Sequence, residues 1–226
     1  MTSENHASGI ADVAKAELHK TWENAAPGWA KWEREFSAGL SDATDRLIEM
    51  AGIRAGMRVL DLACGAGSQT IQAAARVGSG GKVVACDISA TMLAHVRQNA
   101  TAAGLQNVET LECAAISRLG LMLFPSPGSA LRATQSVLKL GARFAALVFA
   151  TPDKNPFMSQ PMAILLRCAG KSPPKPGQPG IFALGGYGSL ERLMRDSGLS
   201  HVETKTVAAS LNLSNASLAH EMRWIG

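Results

Sequence analysis

The chain has 226 residues, 46% of them apolar, with a net charge of +4 and a pI near 9.0. That length is generous for one domain, and the apolar share is that of a globular protein rather than a disordered or fibrous one. The basic residues are scattered, so no nucleic-acid footprint is compelled. The longest apolar run, residues 144–150, is far too short to span a bilayer.

Residues 9 to about 35 read as a helix broken near Pro27-Gly28. Trp22, Trp29 and Trp32 crowd this segment and either close over a ligand or cover the core. A second helix follows, with Ser41 or Asp42 as its cap and Leu47, Ile48 and Ala51 at helical spacing. Residues 57–63 form a strand, 69–77 a helix, 82–86 a strand and 90–103 a helix. That last helix carries Met92, Leu93, Val96 and Ala100 on one face, and Gly104 ends it in a left-handed cap. A third strand covers residues 108–112. Residues 127–138 read as a helix capped by Gly141, and residues 143–149 as an apolar strand. The stretch 151–180 is rich in proline and glycine, with a surface loop at 171–177. A short helix at 190–194 and a strand at 201–207 close the pattern. Alternation of strand and helix predicts an α/β fold: a doubly wound, mainly parallel sheet with helices on both faces.

The most informative stretch is V-L-D-L-A-C-G-A-G at residues 59–67. It is a buried strand ending in an acid, Asp61, and a glycine turn at Gly65 and Gly67, with Ser68 opening the next helix. Unpaired N–H groups and a partial positive charge at that helix start make an anion and nucleotide site. A dinucleotide fingerprint wants a third glycine where Thr70 stands, which disfavours an NAD-dependent oxidoreductase. A second acid, Asp87, closes the next strand 20 residues past Gly67, where a carboxylate can take both hydroxyls of a ribose.

Acid-strand-glycine turn followed by strand-acid resembles the class I S-adenosylmethionine-dependent methyltransferases. The resemblance is nearest to the small-molecule enzymes of ubiquinone and menaquinone biosynthesis, with Asp87-Ile88-Ser89 and Met92-Leu93 fitting that group. It runs from about Trp22 to Leu213 and implies a Rossmann-like fold with S-adenosylmethionine as cofactor. It gives Gly65 and Gly67, with their neighbours Ala63 and Cys64, the methionine portion. Asp61 would orient the turn and the amino end, Asp87 would hold the ribose, and Ile88 and Met92 would flank the adenosine. Arg118 would follow the fourth strand beside the methyl-transfer site. The run after Arg118 is apolar and lacks the N-P-P-Y type of signature for methylation at amide or base nitrogens, which implies a small, apolar acceptor. His19, His95 and His201 are widely spread, and none is nominated as a base. The resemblance also makes the 25–32 segment an N-terminal lid within a single domain: residues 1–40 lid, 41–150 cofactor core, 151–226 substrate side and last strand.

The four cysteines, Cys64, Cys86, Cys113 and Cys168, form no C-x-x-C pair, so no metal site is expected. They read as free thiols of a reducing cytosol. No secretory signal is visible at the polar start, and a cytoplasmic location is expected.

Two departures from the family stand out. Residues 111–113 match the end of the third strand and residues 114–118 the end of the fourth, with almost nothing between. In the usual order 3-2-1-4-5 the chain must pass three strand spacings, ~14 Å, whereas two residues reach ~7 Å. The fold is therefore expected to be shortened between strands 3 and 4, with the fourth strand lost, remodelled or reached by another topology. It is also expected to be shortened at the C-terminus, lacking a seventh strand, which leaves an edge open to homodimerisation. An active small-molecule methyltransferase and a weakly active or non-catalytic binding relative are thus the two competing functions.

Overall fold

A computed structural model describes residues 3–110, 116–138, 141–174 and 178–209. The chain opens with α1 (Ser3–Gly39) and α2 (Ser41–Met50). Strands and helices then alternate: β1 (Arg58–Leu62), α3 (Ser68–Val77), β2 (Lys82–Cys86), α4 (Ala90–Ala102), β3 (Val108–Thr110), β4 (Ile116–Arg118), α5 (Pro127–Val137) and β5 (Ala145–Leu147). The surface helix α6 (Pro156–Cys168) and α7 (Ser189–Asp196) follow. Among the described residues every strand pairing is parallel, and the sheet order is β3-β2-β1-β4-β5. This is the doubly wound, Rossmann-like order expected from the alternation.

The core explains why these residues make these elements. Val59, Val83 and Ala145 from the sheet pack against Leu47 and Ile48 of α2 and Ala73, Ala74 and Val77 of α3. The small residues of α3 let it lie close on the sheet. On α4, Met92, Val96 and Ala100 are buried as the spacing predicts, and Gly104 takes φ +68° just past the helix.

The fourth strand is present and in its family place. Among the described residues it spans Ile116–Arg118, paired to β1 through Asp61↔Ile116 and to β5 through three pairs. The connection at residues 111–115, with Cys113, lies outside the described residues, as do residues 210–226 and the question of a seventh strand.

Three local expectations are corrected, and one helix had gone unread. The first helix is not broken at Pro27: α1 runs through it. Proline costs a helix one hydrogen bond and a steric clash, but Ala26 and Trp32 on either side are buried, and that packing holds the helix together. Neither Ser41 nor Asp42 caps α2, whose N-cap is Leu40 without a side-chain bond. The proline-rich stretch contains α6, with Pro156 at its first turn, where a missing N–H costs nothing. Residues 201–207 are not a strand. The segment is mostly exposed and pairs with no described strand.

Candidate active site

The carboxyl ends of β1, β2 and β4 open into a cavity of about 600 Å³, roofed by α1. That volume lies in the range of small-molecule sites. Ala63, Cys64, Gly65, Asp87, Ile88, Met92 and Arg118 all line it. Asp61 and Gly67 do not.

Asp61 is fully buried beneath the glycine turn. Its Oδ2 accepts a 2.5 Å hydrogen bond from Thr70 Oγ1, and its Oδ1 a 3.3 Å bond from Gln69 Nε2. The position read as a missing third glycine is thus the acid's main partner. Burial, opposed by these two bonds, pushes the Asp61 carboxyl up to about 7. Gln69 Nε2 also donates to the Cys64 carbonyl at 3.0 Å, so this cluster fixes the turn from below. Cys64 is itself buried, and burial pushes its thiol well up from the ordinary value.

Gly65 takes φ +55°, and a Cβ added there would meet nothing within 4 Å. The backbone faces open space, as close approach of a ligand requires. Gly67 differs. It is the left-handed N-cap of α3, and its Cβ would land 2.8 Å from Val96 Cγ2. This glycine lets α3 and α4 pack together; it is not part of the cavity wall.

Asp87 holds the turn from the other side. Its Oδ2 accepts from the Gly65 N–H at 2.9 Å and its Oδ1 from the Ser89 N–H at 3.0 Å. Burial raises its pKa, and these backbone donors act against the rise. A carboxylate offers about four acceptor positions, so these backbone donors do not exhaust its capacity for a ligand. Ser89 caps α4 through Met92 N–H. The ends of β1 and β4 both leave the sheet through non-glycine residues in the left-handed region, Ala63 at φ +53° and Leu119 at +60°, and both line the cavity. Such strain concentrates at functional sites.

The roof was only half legible in the sequence. Trp22, Trp29 and Phe36 recur every seven residues on one face of α1, with ring centroids 6.3 and 4.9 Å apart along the row. All three line the cavity, whereas Trp32 is buried and does not. Trp29 also packs against the buried cluster of Ala26, Ala66 and Met92, so it covers core as well as cavity. Two acids of α1 escaped the sequence reading. Glu23 accepts from Ser89 Oγ and from the N–H and Oγ1 of Thr91, closing the start of α4. Glu33 Oε1 accepts from the Ser68 N–H at 3.0 Å, closing the start of α3, and lies 3.7 Å from Arg118 Nη2. No local signal marks either one, since their partners lie 35 or more residues away.

Arg118 donates from Nη2 to Ser68 Oγ at 2.7 Å. Its other terminal nitrogen, Nη1, is buried without a partner, as are Gln69 Oε1 and Trp29 Nε1. Buried polar atoms left unpaired are costly, and all three side chains line the cavity. Open backbone at Gly65, spare acceptors on Asp87 and these unmatched polar groups fit a ligand with a ribose at one end and a charged amino-acid group at the other.

That combination on this strand order agrees with the S-adenosylmethionine-dependent methyltransferases that the sequence resembles. Residues 53–162 match the family model described as a methyltransferase domain. The chain is 37% identical over 123 residues to the ubiquinone/menaquinone biosynthesis C-methyltransferase UbiE of Cellvibrio japonicus, covering 48% of this chain and 49% of that one. It is 32% identical over 166 residues to the UbiE of Hahella chejuensis, covering 66% of each. The chain thus spans about half the length of the first of these relatives. Among solved structures, the YcgJ protein from Bacillus subtilis shares the fold at TM-score 0.51 and 19% identity, over 71% of this chain and 69% of that one.

Proposed function

We propose that the protein transfers the methyl group of S-adenosylmethionine to a small, mainly apolar organic acceptor, within a single domain. The observation that carries this reading is the division of the cavity. Its charged and polar wall, Glu33, Gln69, Asp87 and Arg118, gathers at the strand ends, and the rest is aromatic and aliphatic. The cofactor, when bound, supplies an electrophilic methyl on a sulfonium. Asp87 would hold the ribose with its remaining acceptor capacity. Gly65, with Ala63 and Cys64 beside it, would admit the methionine portion against the backbone, and Arg118 would meet its carboxylate. Ile88 and Met92 would flank the adenosine.

The leaving group is good, so alignment does most of the catalytic work. The residues contribute by excluding water and fixing geometry. Trp22, Trp29 and Phe36 from the roof and Met122, Phe124 and Phe149 from the far wall leave an apolar chamber for the acceptor. His19, His95 and His201 do not line it, and we assign no general base. The curated relatives carry C-methyltransferase in their names, which favours carbon as the accepting atom. The test is calorimetric titration with S-adenosylmethionine and its demethylated product, followed by transfer of labelled methyl to a panel of small aromatic and polyprenylated acceptors. Binding with turnover of any acceptor supports an enzyme. Binding with none supports the non-catalytic relative, and absence of binding removes the reading.

A further inference from the structure

α1 brings one acid, Glu33, to the wall of the cavity, and the glycine motif gives no reason for it. Its side chain is 14% exposed and that of its neighbour Arg118 is 9% exposed. The two share Ser68: Glu33 takes its N–H and Arg118 its hydroxyl. A cap for α3 needs only a neutral acceptor. A buried charged pair is costly to assemble and needs its remaining hydrogen-bond capacity filled. Here it is not filled, because Arg118 Nη1 has no partner. Gln69 presents the complementary deficit. Its Nε2 donates to Asp61 and to the Cys64 carbonyl, which fixes the amide's orientation, and leaves Oε1 buried with no donor. The cavity wall therefore carries one unmatched cationic donor, one unmatched acceptor and a carboxylate.

Resting on the cofactor assignment above, we infer that Glu33 and Arg118 together read the zwitterion of the cofactor's amino-acid end. Arg118 takes the α-carboxylate, and Glu33, assisted by Gln69 Oε1, takes the α-ammonium. Adding a zwitterion to an existing ion pair leaves four charges matched head to tail, with no excess charge buried. Arg118 alone would draw in the carboxylate and leave the ammonium desolvated. In this arrangement α1 supplies a binding group as well as a cover, and roof closure is linked to the presence of a ligand's ammonium.

The test is calorimetry on the full chain with three probes. S-adenosylhomocysteine carries both charged groups, decarboxylated S-adenosylmethionine keeps only the ammonium, and 5′-methylthioadenosine has neither. In Glu33→Gln the amide oxygen still caps Ser68, so folding and α1 docking should persist, as checked by thermal melting. The variant should bind the first two probes ~10- to 100-fold more weakly, the worth of a charge-assisted hydrogen bond, and the third as wild type does. Arg118→Gln should lose affinity for S-adenosylhomocysteine but not for the decarboxylated probe. If Glu33→Gln binds S-adenosylhomocysteine as well as wild type or better, Glu33 is no partner of the ammonium and the inference falls. An equal loss with 5′-methylthioadenosine also overturns it, showing a purely structural role. If the wild type binds none of the three, the cofactor reading itself fails, and this inference with it.

Discussion

Replacing Gly67 by alanine tests why the second glycine of the turn is there. Its φ of +96° lies where a side chain clashes with the following carbonyl, at a cost of about 1–2 kcal/mol. The new Cβ would also stand 2.8 Å from Val96 Cγ2 and 3.3 Å from Val96 Cα. Val96 is fully buried in the middle of α4, so the neighbour cannot simply swing away. Overpacking of this kind costs about 1–3 kcal/mol. Gly67→Ala should therefore destabilise the fold by roughly 2–5 kcal/mol, measured by urea denaturation without ligand. Val96→Ala removes the offending methyl. In the double variant the packing part should be recovered, so the cycle should show a favourable coupling of about 1–2 kcal/mol, while the backbone part stays lost. The reasoning is refuted if the two costs simply add. It is also refuted if Gly67→Ala is as stable as wild type and loses only S-adenosylhomocysteine affinity, for the glycine would then serve the ligand rather than the packing of α3 on α4.

Three further outcomes are expected. The folded pKa of Asp61, about 7, lies above its ordinary value of 3.8. The fold thus favours the protonated acid, and this contribution to stability is complete below pH ~4 and is lost as pH rises to ~7. The stability difference between wild type and Asp61→Asn should accordingly shift in favour of the asparagine by on the order of 2–4 kcal/mol between pH 4 and 8, and a flat difference would refute it. Asp87→Ala should weaken S-adenosylhomocysteine about ten- to a hundredfold. A 2′,3′-dideoxy analogue should lose as much with wild type and nothing further with the variant; additive losses would separate Asp87 from the ribose. Glu23→Ala removes the acceptor for Ser89 Oγ and Thr91 at the start of α4. It should cost about 1–2 kcal/mol, as loss of a helix cap does, and should speed proteolysis within α1; unchanged cleavage would mean α1 is held by its aromatic row alone.

From residue 57 to residue 147 the sequence by itself determined the order of strands and helices, because hydrophobic period and glycine position are local properties. It also placed the acids and the glycine turn. Asp61, Gly65 and Asp87 stand at strand ends, and in a parallel sheet those ends gather along one edge whatever the rest of the chain does. Only the tertiary structure decided the remainder. Thr70 read as the failure of one motif until the burial of Asp61 made its hydroxyl that acid's partner. Gly67 carries a packing role as well, because α4 places Val96 against it. α1 crosses Pro27 unbroken because burial of Ala26 and Trp32 outweighs a local preference. Glu23 and Glu33 resemble ordinary solvated acids in the sequence. α1 lays them on the starts of α4 and α3, and Glu33 thereby lines the cavity; their partners are 35 to 68 residues away in the chain, a distance that local pattern does not carry.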